Sequence, residues 1–343
     1  MSGQPEPDPA LDATVGVLSY DRIDLLERTL RAALAQDVPQ GLRYDVVVAD
    51  NHPQGLAENL VRRLGAEAAV PLRYVRNPVR NISAIRNTAI DAARSRSRYV
   101  AFVDDDEAPE PGWIAALVAC LDRTGADAAF GPKYPQFEAG APPEWDPEGW
   151  FFTLDFRMPA DAPIQMFGRL RRRGKGLGSG NAIFRMATCF AEPAPFKLAF
   201  GDAGGEDTEL LFRLARAGRR FVWCPDARVR EYMQISRTRF DYIRTRLMRG
   251  SQHYAASRIE NSGSRALGRL KVAVLGLGQL VVHGSLFLAT GEFLTHRRVH
   301  NRIGMAKGIG KLTYRRDPIG FIEEKRCPSA STPQASHAST SAS

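Results

Sequence analysis

The sequence predicts an α/β protein, with a mostly parallel central sheet inside an α/β/α sandwich and a helical C-terminal extension. Three observations carry this reading. Short, nearly all-apolar runs alternate with segments whose apolar residues recur at helical spacing, the pattern of a sheet covered on both faces. The chain has 343 residues and is 44% hydrophobic, enough for one large α/β domain or two. Three of the strand ends also finish in polar, ligand-suited groups, where open α/β sheets bind ligands.

Residues 13–19 (ATVGVLS) are an apolar run bounded by turn formers and read as the first strand. Residues 24–36 follow with Leu25, Leu26, Leu30, Ala33 and Leu34 on one helical face. The second strand, 44–49, ends in Asp50-Asn51. A helix over 56–64, a short strand over 72–75, a helix over 82–95 and a strand over 98–103 complete the first half. That last strand runs into Asp104-Asp105-Asp106, three like charges at a buried tip. The triplet suits a hard divalent cation, although on its own a solvated turn is the commoner explanation.

The second half changes character. Residues 126–137 read as a strand and its exit, followed by a Pro/Trp/acid-rich loop at 142–150 and a basic run at 169–175. Gly-Leu-Gly-Ser-Gly-Asn (176–181) leads into a strand at 182–185. Gly204-Gly205-Glu206-Asp207 opens a helix over 208–217, a strand follows at 221–224, and an arginine-dense helical segment covers 237–258. Residues 272–294 form a glycine-spotted apolar stretch about as long as a membrane span. Its polar residues Gln279, His283 and Thr290 share one narrow side, and basic residues flank both ends. This favours a helix in the membrane interface, ahead of a buried helix or hairpin and then of a true span.

Composition narrows the partners. The net charge of +9 favours anionic ligands, yet the polar strand ends are acidic, which argues for no nucleic acid as partner. Cys120, Cys189, Cys224 and Cys327 are widely spaced, with no zinc pattern, and read as reduced thiols of a cytosolic protein. No G-x-G-x-x-G follows the first strand, and no P-loop signature occurs. Residues 1–12 read as a flexible leader and 327–343 as a disordered tail.

An ordered set of motifs resembles the family-2 inverting glycosyltransferases of the GT-A fold, which is Rossmann-like in its layering. The set comprises Ser19-Tyr20-Asp21-Arg22, Ala49-Asp50-Asn51, Asn81 through Asn87, Phe102 through Glu107, Gly180-Asn181, and Gly205-Glu206-Asp207 before Leu210 and Arg213-Leu214. The nearest likeness is to succinoglycan-type exopolysaccharide enzymes. It covers residues 13–260, divided into a nucleotide-binding half (13–107) and an acceptor half (108–260), with 261–326 as a helical, membrane-suited extension.

The resemblance implies roles. Asp50 would accept the N3–H of a uracil-type base, Tyr20 would pack on the base or ribose, and Arg22, Arg86 and Asn87 would contact the nucleotide-sugar. Asp104 would bind the ribose, with Asp105 in support, and Asp106 would hold Mg²⁺ or Mn²⁺. Asp207, beside Glu206, would be the catalytic base. The implied donor is a nucleotide-sugar, by family habit a UDP-sugar. The implied acceptor is a glycan or a polyprenyl-diphosphate-linked saccharide, and the implied place is the cytoplasmic, inner face of the cell membrane, through peripheral contact.

Two departures stand out. Many relatives carry a His where this chain reads Val229-Arg230-Glu231-Tyr232, so either Glu231 substitutes or the contact is absent. Gln234 through Thr238 lacks the tryptophan of the processive Q-x-x-R-W signature, implying transfer of one sugar per encounter. Arg237, Arg239, Arg244, Arg246 and Arg249 form a lid over a diphosphate, a face toward a lipid-linked diphosphate, or a solvated helix face. The rival readings are a nucleotidyltransferase and an inactive sugar-nucleotide-binding relative.

Overall fold

The computed structural model describes residues 10–166, 176–201, 204–289 and 295–314. In chain order its strands and helices are β1 (Leu11–Ser19), α1 (Ile23–Leu34), β2 (Tyr44–Asp50), α2 (Glu58–Glu67), β3 (Leu72–Arg76), α3 (Ile82–Ala93) and β4 (Ser97–Val103). Next come β5 (Glu107–Pro109), α4 (Trp113–Thr124), β6 (Ala128–Phe130), β7 (Lys133–Phe137), β8 (Pro163–Ile164), β9 (Ala182–Arg185) and α5 (Met186–Cys189). The last are α6 (Glu206–Arg216), β10 (Phe221–Trp223), β11 (Val229–Met233), α7 (Ile235–Thr238), α8 (Phe240–Glu260), α9 (Arg265–Ala289) and α10 (Thr295–Leu312).

The main sheet has eight strands in the order β3-β2-β1-β4-β9-β6-β10-β8. The first four are parallel, as are β6 and β10, whereas β9 runs antiparallel between β4 and β6. Alternation along the strands separates two cores. Val15, Val17, Tyr99, Ala101 and Val103 pack with Leu26 and Leu30 of α1, Leu60 and Leu64 of α2, and Leu117 and Leu121 of α4. Val100 and Phe102 face the other way, onto Ile85, Ala89 and Ile90 of α3 and Leu210 and Leu214 of α6. The sandwich is thus the α/β/α arrangement that the apolar runs predict.

Several boundaries differ from the sequence reading. β1 begins at Leu11, whose register partner is Ser97, so residues 11 and 12 belong to the strand rather than to the expected leader. The segment 126–137 is two strands. β6 stays in the main sheet, and β7 leaves for a second, three-stranded sheet, β5-β11-β7. Gly131 marks the exit because a side chain there would collide with the Ala227 carbonyl. α6 begins at Glu206, two residues earlier than predicted, and the 237–258 segment breaks at Arg239, which is extended between α7 and α8. The basic run 169–175, Thr290, Cys327 and the tail 327–343 lie outside the described residues. Cys120, Cys189 and Cys224 are free, buried thiols.

At the C-terminal end α9 and α10 form a helical pair packed on α8. Gln279 of α9 accepts from Lys311 Nζ at 2.7 Å, and His283 Nδ1 lies 3.0 Å from Asn301 Oδ1. The polar stripe of the apolar stretch is therefore spent on α10. Beyond these contacts α9 exposes Leu270, Val274, Leu277, Val281, Val282 and Leu286. Among the described residues α9 is the one helix long and apolar enough to cross a membrane, and only 11% of its most apolar window is buried.

Candidate active site

Strand register brings the three polar tips together. Ser19 pairs with Asp50 and Val17 with Val103, so residues 20–22, 50–52 and 104–107 leave the same edge of the sheet side by side. Asp50 is fully buried. Its Oδ1 accepts from the His52 N–H (2.8 Å), and its Oδ2 accepts from the Ala57 N–H and the Tyr74 hydroxyl (both 3.0 Å). The carboxylate thereby pins the turn that carries His52. That imidazole lies 5.2 Å, centroid to centroid, from the Tyr20 ring, and the Arg80 guanidinium lies 5.8 Å from the Tyr20 ring centroid. Tyr20, His52 and Arg80 make a mixed aromatic and cationic rim, suited to a planar base and its phosphates.

The three acids of the triplet have separate surroundings. Arg22 bonds both Asp105 oxygens and also reaches Asp106, and Arg237 Nη1 donates to Asp106 Oδ2 at 2.7 Å. Burial pushes Asp105 up to about 7, against the pull of Arg22. Burial acts on Asp106 too, but Arg22 and Arg237 outweigh it and hold that carboxyl below the usual range. Asp104 is the open one, with 37% of its side chain exposed, and its oxygens lie 3.9 Å from Arg86 and 3.8 Å from Lys133. Behind it, Glu107 is buried against Lys133, its Oε2 accepts the Asp104 N–H at 3.1 Å, and burial lifts it to about 8. Gly180 lets both side chains come close: a β-carbon there would stand 2.5 Å from Asp104 Oδ2 and 2.7 Å from Lys133 Nζ, and their ends would have to shift.

Arg86 is the hub. Its side chain is 5% exposed, with Glu206 Oε1 at 3.5 Å, Asp207 Oδ2 at 3.6 Å and Asp104 Oδ1 at 3.9 Å. One guanidinium thus gathers acids from the β4 tip and from the start of α6. Its Nε and one Nη have no hydrogen-bond partner although buried. Buried donors left unmet are exceptional in a folded protein. The two α6 acids differ. Glu206 is buried, and burial, then Asp207, push it up to about 7. Asp207 keeps 22% of its side chain exposed and accepts from the Ser179 hydroxyl at 2.5 Å. Gly205, at φ +93°, precedes α6 and has no side chain with which to cap it.

Residues 14–187 match the family described as Glycosyl transferase family 2. This chain belongs to that family. It is a glycosyltransferase, and the nucleotidyltransferase alternative falls with that assignment. Over 246 residues it is 32% identical to the succinoglycan biosynthesis protein ExoM of Rhizobium meliloti, covering 72% of this chain and 75% of ExoM. ExoO of the same organism, also a succinoglycan biosynthesis protein, is 30% identical over 125 residues, covering 36% of this chain and 34% of ExoO. The structure of S. aureus TarS 1-349 in complex with UDP-GlcNAc superposes with a TM-score of 0.50 at 16% identity, covering 89% of this chain and 92% of that one. The fold is accordingly of the GT-A type.

Not every residue of the transferase singled out from sequence lies open to a ligand. Asn87 clasps another segment: its Nδ2 donates to the Phe196 carbonyl and its Oδ1 accepts the Phe196 N–H, both at 2.9 Å, so both ends of its amide are engaged. Arg22 faces Asp105 and Asp106, serving the acids before any nucleotide. Glu231 is half-buried, with its acidity weakened by desolvation against the attraction of Lys133 and Arg246. It joins an internal charge network that the missing histidine would have changed. No group of three or more His, Cys, Asp or Glu among the described residues is arranged to hold a metal.

The sequence reading passed over Lys133, Ser179, His52 and Arg80. Lys133 sits in a strand that read as the tail of another. Ser179 lies inside a glycine-rich turn, where a serine is ordinary. His52 follows Asp50-Asn51 by one residue, and that adjacency is the signal that could have found it.

Proposed function

We propose that the protein transfers one sugar, with inversion, from a UDP-sugar to a hydroxyl of a glycan or lipid-linked saccharide in exopolysaccharide synthesis, at the inner face of the cell membrane. The observation that carries this is the convergence of Asp104, Glu206 and Asp207 on the buried Arg86, with Asp207 still open to the cleft. The relation to ExoM supports the exopolysaccharide setting, and the UDP-GlcNAc complex of TarS supports a UDP-sugar donor.

In this reading Asp207 accepts the proton of the acceptor hydroxyl as that oxygen bonds to the anomeric carbon. The bond from that carbon to the diphosphate breaks on the opposite side, inverting the centre, so no covalent enzyme intermediate is needed. Ser179 and Arg86 hold the Asp207 carboxylate in place, and the proton shared around Glu206 keeps a second negative charge off its neighbour near neutral pH. Tyr20 and His52 flank the base, Asp50 orders their turn and offers its remaining lone pair to the base N3–H, and Asp104 faces the ribose. Arg86 meets the diphosphate with its unpaired donors.

Mg²⁺ or Mn²⁺ fits Asp106 with Asp104 nearby. Two guanidinium groups already converge on Asp106 as stand-in cations, and such ions accept one or two carboxylates plus phosphate oxygens. When bound, the ion supplies charge neutralisation for the departing nucleoside diphosphate. The exposed apolar face of α9, with Arg265, Arg269 and Lys271 at its start, supports peripheral membrane contact.

The test is a panel of UDP-, GDP- and dTDP-sugars with Mg²⁺ or Mn²⁺. Binding and slow hydrolysis of one UDP-sugar, both weakened by Asp106→Ala, is the expected outcome. Absence of binding to every donor, with Asp106→Ala without effect, defeats the reading.

A further inference from the structure

A second cavity, of about 250 Å³, lies away from the acids between α8, α9 and α10. Leu280, Met305, Ala306 and Ile309 make its apolar wall, and Arg244 and Arg302 supply two positive charges. Neither charge is well matched. The Arg244 Nε is buried without a hydrogen-bond partner; Asp241 comes within 3.4 Å but is misaligned, and it is largely in solvent. The Arg302 guanidinium lies 4.4 Å from the Phe240 ring centroid, and no carboxylate among the described residues pairs with it. A wholly apolar pocket would hold hydrocarbon, and a wholly basic one would hold free phosphate. This pocket has an anion-seeking edge on an apolar trough.

From this combination we propose that the cavity binds the diphosphate and first isoprenoid units of a lipid-linked acceptor, which rests on the reading of the protein as a transferase acting on such a saccharide. The diphosphate sits against Arg244 and Arg302, where planar guanidinium groups suit phosphate oxygens. The hydrocarbon lies along Leu280, Met305 and Ile309. Leu277 and Val281, neighbours of Leu280 on α9, are exposed, so the trough runs on into the apolar face suited to a bilayer.

Arg246 faces Glu231 and the acids of the cleft, and Arg244, two residues earlier, points about 200° away around the same helix, so the cavity lies across α8 from the cleft.

The test uses the full chain in a mild detergent, with farnesyl diphosphate as probe and farnesol, inorganic diphosphate and phosphatidylglycerol vesicles as comparators. UDP binding is measured on the same samples. The proposal expects saturable farnesyl diphosphate binding, at least tenfold weaker with either comparator small molecule. It expects a loss of tenfold or more in Arg244→Gln/Arg302→Gln and in Ile309→Trp, which fills the trough, with UDP binding unchanged. Wild-type-like binding by both variants overturns it. Equal binding of inorganic diphosphate reduces the site to an anion site, and full competition by phosphatidylglycerol reduces it to a bulk lipid surface; either also overturns the proposal. Failure of farnesyl diphosphate binding with UDP binding intact removes only this site. Failure of UDP binding strikes the transferase reading instead.

Discussion

The strand-tip cleft and the α9–α10 pair break the same rule in opposite directions. The cleft buries charge: Arg86, Asp105, Asp106, Glu107 and Glu206 are all below one tenth exposed. The helical pair exposes oil: Leu277, Val281 and Leu288 are 58%, 59% and 86% exposed. Folding alone favours neither, because buried charges lose hydration and exposed apolar faces gain nothing from the fold. The cleft compensates internally, by setting every acid beside a guanidinium or ammonium group. Among the described residues nothing covers the outer face of α9. In the proposed reading the cleft's partner is a polar ligand and that of α9 is the apolar surface of a membrane.

The comparison can be broken at its strongest point first. Arg86→Met leaves Glu206, Asp207 and Asp104 without their shared cation, and should cost about 3–5 kcal/mol of stability, as when one partner of a buried pair is lost. Denaturant unfolding checks this; a loss below 1 kcal/mol, on the order of an exposed pair, would show that the cleft is not self-compensated. Leu277→Glu/Val281→Glu should weaken partition onto anionic vesicles about a hundredfold, since each buried aliphatic side chain contributes about 1.5–3 kcal/mol. Stability should be unchanged, as both positions face solvent in the isolated chain. Vesicle sedimentation together with a melting curve reads both effects, and unchanged partition refutes an external partner for this face.

Two smaller effects sharpen the division of labour inside the cleft. Asn87→Ala removes two hydrogen bonds to Phe196 and should cost about 1–3 kcal/mol while leaving the donor KM alone. A changed KM with unchanged stability would return Asn87 to the ligand. Glu206 has a folded pKa of about 7, above its ordinary 4.5, so the folded chain holds its proton more tightly than the unfolded one. The associated stability is complete below pH 4.5 and is lost as pH rises through 7, with a slope of at most about 1.4 kcal/mol per pH unit. Glu206→Gln should flatten that part of the stability profile, measured by melting at stepped pH, and an unaltered profile would assign the slope elsewhere.

The sequence made the first half legible because its strands are continuous apolar runs and its ligand groups follow them immediately. Asp50, Asp104 and Asp106 follow strands in the sequence and leave the same edge of the sheet on either side of β1. What stayed hidden depends on pairings between distant segments. Lys133 and Glu107 meet only because β7 leaves the main sheet at Gly131 to join β5 and β11, and no local pattern announces that departure. Asn87 read as a ligand because it follows Arg86 in the motif, yet it points to Phe196, more than a hundred residues later. Gln279 and His283 showed a polar stripe whose partners, Lys311 and Asn301, belong to a helix the stripe itself could not name.

The most direct test of the central claim, that Asp207 is the base of the strand-tip cleft, is Asp207→Asn assayed for donor binding and sugar transfer in parallel. The account predicts UDP-sugar binding within a few-fold of the unsubstituted enzyme and transfer reduced about 10²–10⁴-fold, the contribution of a positioned general base. Transfer at the unsubstituted rate would contradict it.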